Sequence, residues 1–180
     1  MKLVLGIFIA LGQTPGSLKR YRDASQNKEN VMKSSLIAAV AALALFAGAA
    51  QAAEFTVNMV NKDAAGKTMQ FEPAFLKIAP GDVVHFVAVD KGHDTESLPG
   101  GIPEGAEAWK GKISTNVDVT FTVPGLYAYK CTPHLPLGMV GLIQVGDAPA
   151  NLDAITALKL SGKAKARMGE LLALQAAPPA

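Results

Sequence analysis

Within nine residues, Cys131, His134 and Met139 offer a thiol, an imidazole and a thioether. Two imidazole nitrogens and one cysteine sulfur in a roughly trigonal plane, with a weak thioether on the axis, suit copper moving between two oxidation states. The soft sulfurs favour Cu(I), and the imidazoles also accept Cu(II). One imidazole is still missing, and the chain has only His85 and His93 left to supply it. These lie eight residues apart along a mostly extended segment, or roughly 26 Å at ~3.3 Å per residue, so they cannot share one ion. His93 follows the turn Asp90-Lys91-Gly92 and is the candidate, whereas His85 falls inside a strand pattern and reads as a structural or exposed residue.

Taken singly, each residue has a plainer reading. Met139 would be core, His134 a surface loop residue, and Cys131 a small buried hydrophobe. Their joint spacing between two strand patterns, with one upstream turn histidine and no second cysteine, is far more specific. A cysteine hydrolase built on Cys131 and His134 would need the imidazole to reach the thiolate beside an oxyanion-stabilising framework, and a three-residue offset on a tight loop argues against it. Covalent haem is excluded by the absence of Cys-x-x-Cys-His. A copper chaperone or storage protein is the alternative to an electron carrier. It would want an open, exchangeable site rich in Met or His, and Met139 is the only methionine of the loop.

Such residues must be held by a rigid frame. From Glu54 the chain alternates, with Phe55, Val57 and Met59 against Thr56 and Asn58, the period of a half-buried strand. Further strand patterns cover 69–71, 75–78, 83–89, 117–123, 126–130 and 140–145. Pro80-Gly81, Lys91-Gly92, Pro124-Gly125 and Gly146-Asp147 punctuate them. Many short strands at this spacing predict an antiparallel sandwich or barrel. Its end loops would bring Cys131 and His93 together. Residues 98–114, rich in Gly and Pro, form a surface excursion with a short helical turn expected over 106–109. After Pro149, two short helices are predicted over 151–160 and 163–175, with Leu152, Ile155 and Leu158, then Met168, Leu171 and Leu172, at helical spacing. They are expected to cover the sandwich. A membrane-surface helix is the competing reading, disfavoured by the narrow apolar face.

The first 52 residues hold six of the 17 basic and two of the 15 acidic side chains, so the remainder carries 11 against 13, a net of −2. That balance gives no basis for nucleic-acid binding. Met32-Lys33, the apolar run 36–46 and Ala50-Gln51-Ala52 have the order of a secretory signal peptide, placing cleavage near Ala52/Ala53. The run is shorter than the ~20 residues of a spanning helix, so no membrane anchor is expected in the mature form. Residues 1–31 read as an upstream extension outside the native protein, 32–52 as the leader and 53–180 as one domain. An exported chain with a single cysteine cannot form an internal disulfide, so the thiol needs another use.

The chain resembles the cupredoxins. The motifs are Phe71-Glu-Pro-Ala-Phe75, Pro80-Gly81-Asp82, Val89-Asp-Lys-Gly-His93, Ile102-Pro-Glu-Gly-Ala-Glu107, Lys130-Cys-Thr-Pro-His134, Gly138-Met-Val140 and Val145-Gly-Asp-Ala-Pro-Ala-Asn-Leu-Asp153, with C-terminal helices typical of one branch of that family. The resemblance implies a mainly β, eight-stranded Greek-key sandwich with two short C-terminal helices. It implies one type 1 copper on His93, Cys131, His134 and Met139, and no enzymatic activity. It also implies a soluble periplasmic shuttle passing electrons to copper nitrite reductase or related denitrification enzymes, or exchanging them with c-type cytochromes; a monomer is the plain expectation for a shuttle.

Around His134, Pro133, Leu135, Pro136 and Leu137 would form an apolar docking patch. By resemblance, Lys62, Lys91, Lys110, Lys112 and Lys130 would ring it and steer acidic partners, and Met69 and Pro133 would lie near the metal. Two departures from the family stand out. Asp94 occupies a position that is usually Asn and that ties the two ligand loops together; an ionised carboxylate accepts hydrogen bonds but cannot donate. The loop reads Leu135-Pro-Leu137 where Tyr, then Gly or Ala, then Met are common, at unchanged length. Pro136 should stiffen it.

Overall fold

The computed structural model describes residues 51–147 and 149–177. The reading of 1–31 as an extension, and that of 32–52 as leader sequence up to residue 50, lie outside the described residues. Eight strands form two four-stranded sheets: β1 Glu54–Lys62, β2 Thr68–Glu72, β3 Phe75–Ile78, β4 Val83–Ala88, β5 Glu96–Ser97, β6 Val117–Thr120, β7 Gly125–Lys130 and β8 Val140–Val145. One sheet has the order β2-β1-β4-β6 and the other β3-β8-β7-β5. The eight-stranded sandwich with C-terminal helices is the architecture expected.

The pairing is mixed rather than antiparallel throughout. β1 runs parallel to β4, and β3 parallel to β8. After the β1–β2 hairpin the chain crosses to the other sheet as β3 and returns on the free edge of β1 as β4. A crossover of that kind leaves neighbours parallel, where a two-residue hairpin would leave them antiparallel.

Alternation built most of these strands. Val57 and Met59 on β1, and Val84 and Phe86 on β4, are fully buried. β8 is buried along its whole length, because β7 and β3 flank it and a helix covers it. Its one polar side chain inside, Gln144, donates Nε2 to the Gly146 carbonyl at 2.8 Å. Between the sheets Phe71, Phe86 and Tyr129 meet edge-on, with ring centroids 4.7 Å apart for Phe71–Tyr129 and 5.2 Å for Phe86–Tyr129. Trp109 stacks on Phe86 at 6.0 Å. Such rings combine large apolar area with edge-to-face attraction.

Three elements differ from expectation. β5 is absent from the sequence-based strand set because Glu96-Ser97 carries no apolar alternation; its pairing with Lys130 and Tyr129 on β7 defines it. No helical turn forms over 106–109. Trp109 is drawn out instead, accepting the Ser97 amide on its carbonyl at 3.1 Å and donating Nε1 to Thr95 Oγ1 at 3.1 Å. The first C-terminal helix, α1 Leu152–Thr156, is half as long as predicted, and half-buried Leu158 and Leu160 pack on the core from extended chain beyond it. Helix α2 Gly162–Ala176 buries Ala164, Met168 and Leu171, a three- to four-residue stripe. Among the described residues no helix is long and apolar enough to cross a membrane.

Candidate metal centre

Two loops at one end of the sandwich meet. In the first, Asp90 Oδ2 accepts the Asn61 amide at 2.6 Å, Ser114 Oγ accepts the Gly92 amide at 2.9 Å, and the His93 carbonyl accepts the Ser114 amide at 2.7 Å. The excursion after β5 thus clamps the turn that carries His93. The second loop leaves β7 at Cys131 and returns at β8. It is closed by hydrogen bonds from the Cys131 amide to the Met139 carbonyl at 3.0 Å and from the Met139 amide to the His134 carbonyl at 3.2 Å. A single 3-10 turn, Leu135–Leu137, contains Pro136 and ends at Gly138, whose φ of 91° favours glycine.

The side chains converge. Nδ1 of His93 lies 3.7 Å from Cys131 Sγ, Nδ1 of His134 lies 3.4 Å from the same sulfur, and the two nitrogens are 3.1 Å apart. A point equidistant from these three atoms is roughly 2 Å from each, close to metal–imidazole and metal–thiolate bond lengths. His93, Cys131 and Met139 are completely buried, and His134 is half-buried. His93 Nε2 faces Asn61 Oδ1 at 3.1 Å. Because that oxygen can only accept, the ring proton sits on Nε2 and the Nδ1 lone pair is turned inward. Among the described residues this is the one His, Cys, Asp or Glu cluster able to hold a metal ion. Two imidazole nitrogens and one cysteine sulfur gathered at this spacing fit copper.

Electrostatics agree. Burial pushes the Cys131 thiol up to about 11, opposed by the amides of Asp94 and His134, while the Asp94 carboxylate raises it further. Without a cation the sulfur stays protonated at neutral pH. Burial, then the neighbouring His134, holds His93 below its ordinary value, the direction that favours the neutral imidazole a metal would require.

The sequence model of copper binding proteins of the plastocyanin/azurin family matches residues 57–146. A pseudoazurin of Paracoccus pantotrophus is 51% identical over 139 residues, 77% of this chain and 95% of that one. One from Methylorubrum extorquens is 35% identical over 144 residues, 79% of this chain and 97% of that one. The crystal structure of native pseudoazurin from Hyphomicrobium denitrificans, 47% identical, covers 68% of this chain and 98% of its own with a TM-score of 0.65. The chain belongs to the pseudoazurins. It is therefore a copper-dependent electron-transfer protein, and copper is its cofactor.

The other singled-out residues are distributed as follows. Asp94 is buried, and its Oδ1 accepts the Thr132 amide at 2.5 Å, so the carboxylate still ties the two loops together as an acceptor. Pro133 and Pro136 are exposed, Leu135 is half-buried and Leu137 is 47% exposed, an apolar rim beside the half-buried His134. Met69, half-buried on β2 with a φ of 53°, packs against the core. His85 sits on β4, its Nδ1 2.8 Å from Asp118 Oδ1, away from the cluster.

Lys62, Lys91 and Lys112 are exposed. Lys110 and Lys130 both turn to Glu96, at 3.4 and 3.6 Å, and Glu96 also accepts the Thr132 hydroxyl at 2.9 Å. Asn61, Ser114 and Glu96 were not among the residues that sequence reasoning picked out. Asn61 and Ser114 meet His93 from 32 and 21 positions away, and only the folded chain reveals such distant partners.

Proposed function

We propose that His93, Cys131, His134 and Met139 hold one type 1 copper and that the chain shuttles single electrons in the periplasm without itself acting as an enzyme. The convergence of two Nδ1 atoms and one Sγ in a preset, buried triangle carries this reading. Copper held there supplies a one-electron couple between Cu(I) and Cu(II). The chain's contribution is rigidity. The Asn61 bond, the Ser114 clamp and the Pro136 turn fix the donors in place, so little rearrangement accompanies a change of charge. Such preset packing disfavours the chaperone or storage alternative, which needs ready exchange.

His134 is the ligand candidate nearest solvent, and the rim of Pro133, Leu135, Pro136 and Leu137 offers an apolar landing surface for a partner. Copper nitrite reductase or another periplasmic redox enzyme is the proposed acceptor, with c-type cytochromes as exchange partners. Lys62, Lys91, Lys110, Lys112 and Lys130 would steer acidic surfaces toward the patch. The mature protein, from near Ala53, would act as a monomer.

Optical and electron paramagnetic resonance spectra of the mature protein after addition of Cu(II) test the ligand set, beside Cys131→Ser and Met139→Leu. An intense visible thiolate-to-copper band with narrow hyperfine splitting, abolished by Cys131→Ser, is expected. Weak tetragonal copper signals in the unaltered protein would overturn the assignment.

A further inference from the structure

Two aspartates are buried in the domain, and they are satisfied differently. Asp82, 5% exposed, accepts the Ala53 amide on Oδ1 and the Ala79 amide on Oδ2, both at 2.8 Å. Asp94, 4% exposed, accepts one amide, that of Thr132, on Oδ1. Thr132 directly follows Cys131, and Asp94 directly follows His93, so the carboxylate is buried between the two ligand loops. Among the described residues no Lys, Arg or His side chain forms an ion pair with it. Lys130, two residues away on the paired strand, is taken by Glu96.

An unpaired buried carboxylate is costly, and one set against a sulfur that must become a thiolate is doubly so. The metal site supplies the missing opposite charge. With one thiolate and two neutral imidazoles, divalent copper leaves a single net positive charge, and reduction removes it. A carboxylate buried between the two ligand loops is therefore attracted to the oxidised centre and not to the reduced one.

We propose that Asp94, buried between the two ligand loops and tied to the Cys131 loop through Thr132, is a positioning and charge-setting residue that lowers the reduction potential of the copper centre. The inference rests on the ligand set proposed above. It makes this chain a stronger electron donor than one with a neutral amide at the same place, so its partners should include acceptors of lower potential. A purely mechanical role, tying Thr132 to the His93 loop, is the competing account. Asparagine separates the two, because its Oδ1 can still accept the Thr132 amide while the charge is gone.

The test is redox titration of the copper-loaded mature protein and of Asp94→Asn and Asp94→Ala at one neutral pH, with the thiolate-to-copper band recorded for each. Asp94→Asn is expected to keep the band and to shift the Cu(I) to Cu(II) ratio at a given potential at least tenfold toward Cu(I), about 59 mV upward for one electron. Asp94→Ala should move the same way. Thermal unfolding of the copper-free forms gives a second readout, in which Asp94→Asn should be at least as stable as the unaltered chain. A potential unchanged or lowered in Asp94→Asn overturns the proposal, as does lost stability at constant potential, the signature of a mechanical tie. If Asp94→Ala does not fold, Asp94→Asn still decides. Absence of the band in the unaltered protein would instead strike the ligand set itself, and this inference with it.

Discussion

Asn61 Oδ1 lies 3.1 Å from His93 Nε2, across 32 residues of sequence, and this contact chooses which nitrogen of the imidazole faces the metal site. Partners of this kind orient a ligand and raise its basicity, and their loss typically costs 10–100-fold in metal affinity. Asn61→Ala should therefore weaken copper retention by roughly tenfold or more, measured by competition with a Cu(I) chelator. Because His93 is buried and its Nε2 proton loses its acceptor, the copper-free variant should also unfold at a lower temperature than the unaltered protein. Undiminished retention would mean that packing alone orients His93.

The third histidine predicts a pH dependence remote from copper. The hydrogen bond with Asp118 holds His85 above its ordinary value of 6.5; burial opposes this, and the charges of Asp118 and Glu54 add to the rise. A value raised in the folded state means that protonation favours folding. The stabilisation is complete below the unfolded value and fades as pH climbs through the folded one. Asp118→Asn should be less stable than the unaltered chain at about pH 5.5 and converge with it by about pH 8.5. Urea unfolding at the two pH values checks this, and a gap that widens with pH would refute it.

What was legible in the sequence followed from local pattern. Alternation at Val57 and Met59, and the glycine and proline punctuation, marked the strands because each signal is carried by neighbours. The meeting of Cys131 with His134 was legible for the same reason: they sit three residues apart, so their spacing survives folding. The parallel pairing of β1 with β4 was not, since register between strands some thirty residues apart is a property of the crossover. Trp109 reads locally as a helical turn, but its indole is held by Thr95 and Phe86, tertiary contacts that override a short propensity. Asn61 and Glu96 were invisible as site residues because a single polar side chain at a strand end resembles any solvated one.

Glu96 bears on partner steering. Burial works against its ionisation, yet the Thr132 hydroxyl, Lys130 and Lys110 together hold its carboxyl below the ordinary value. Two of the five lysines proposed to attract acidic partners are thus partly neutralised. Glu96→Gln should accelerate association with the proposed acceptor, copper nitrite reductase, several-fold at low ionic strength, with the gain vanishing as salt screens it. Stopped-flow electron transfer across ionic strength measures this. Because the Lys130 and Glu96 side chains are only 17% and 19% exposed, removing the carboxylate charge should also lower stability, by more than the loss of a surface pair does. A rate that falls, or does not respond to salt, would remove Lys110 and Lys130 from the docking surface.

Tyr129 and Gly141 face one another across β7 and β8, and the strand carrying Tyr129 leads into Cys131 two residues later. The ring lies over Gly141 so closely that a Cβ there would overlap its hydroxyl end. The phenol is fully buried, and its oxygen has no hydrogen-bond partner among the described residues. Gly141→Ala should therefore overpack the core and cost about 1–3 kcal/mol, and by displacing Tyr129 it should shift the thiolate-to-copper band. Tyr129→Phe removes an unpaired buried hydroxyl, a change that is neutral or stabilising where no bond is lost. Adding it to Gly141→Ala should recover part of the loss, because the phenol oxygen is one of the overlapped atoms. Chemical unfolding of the two single variants and the double variant gives the coupling directly. Strict additivity would show that the strands part around the added methyl group rather than press on the tyrosine.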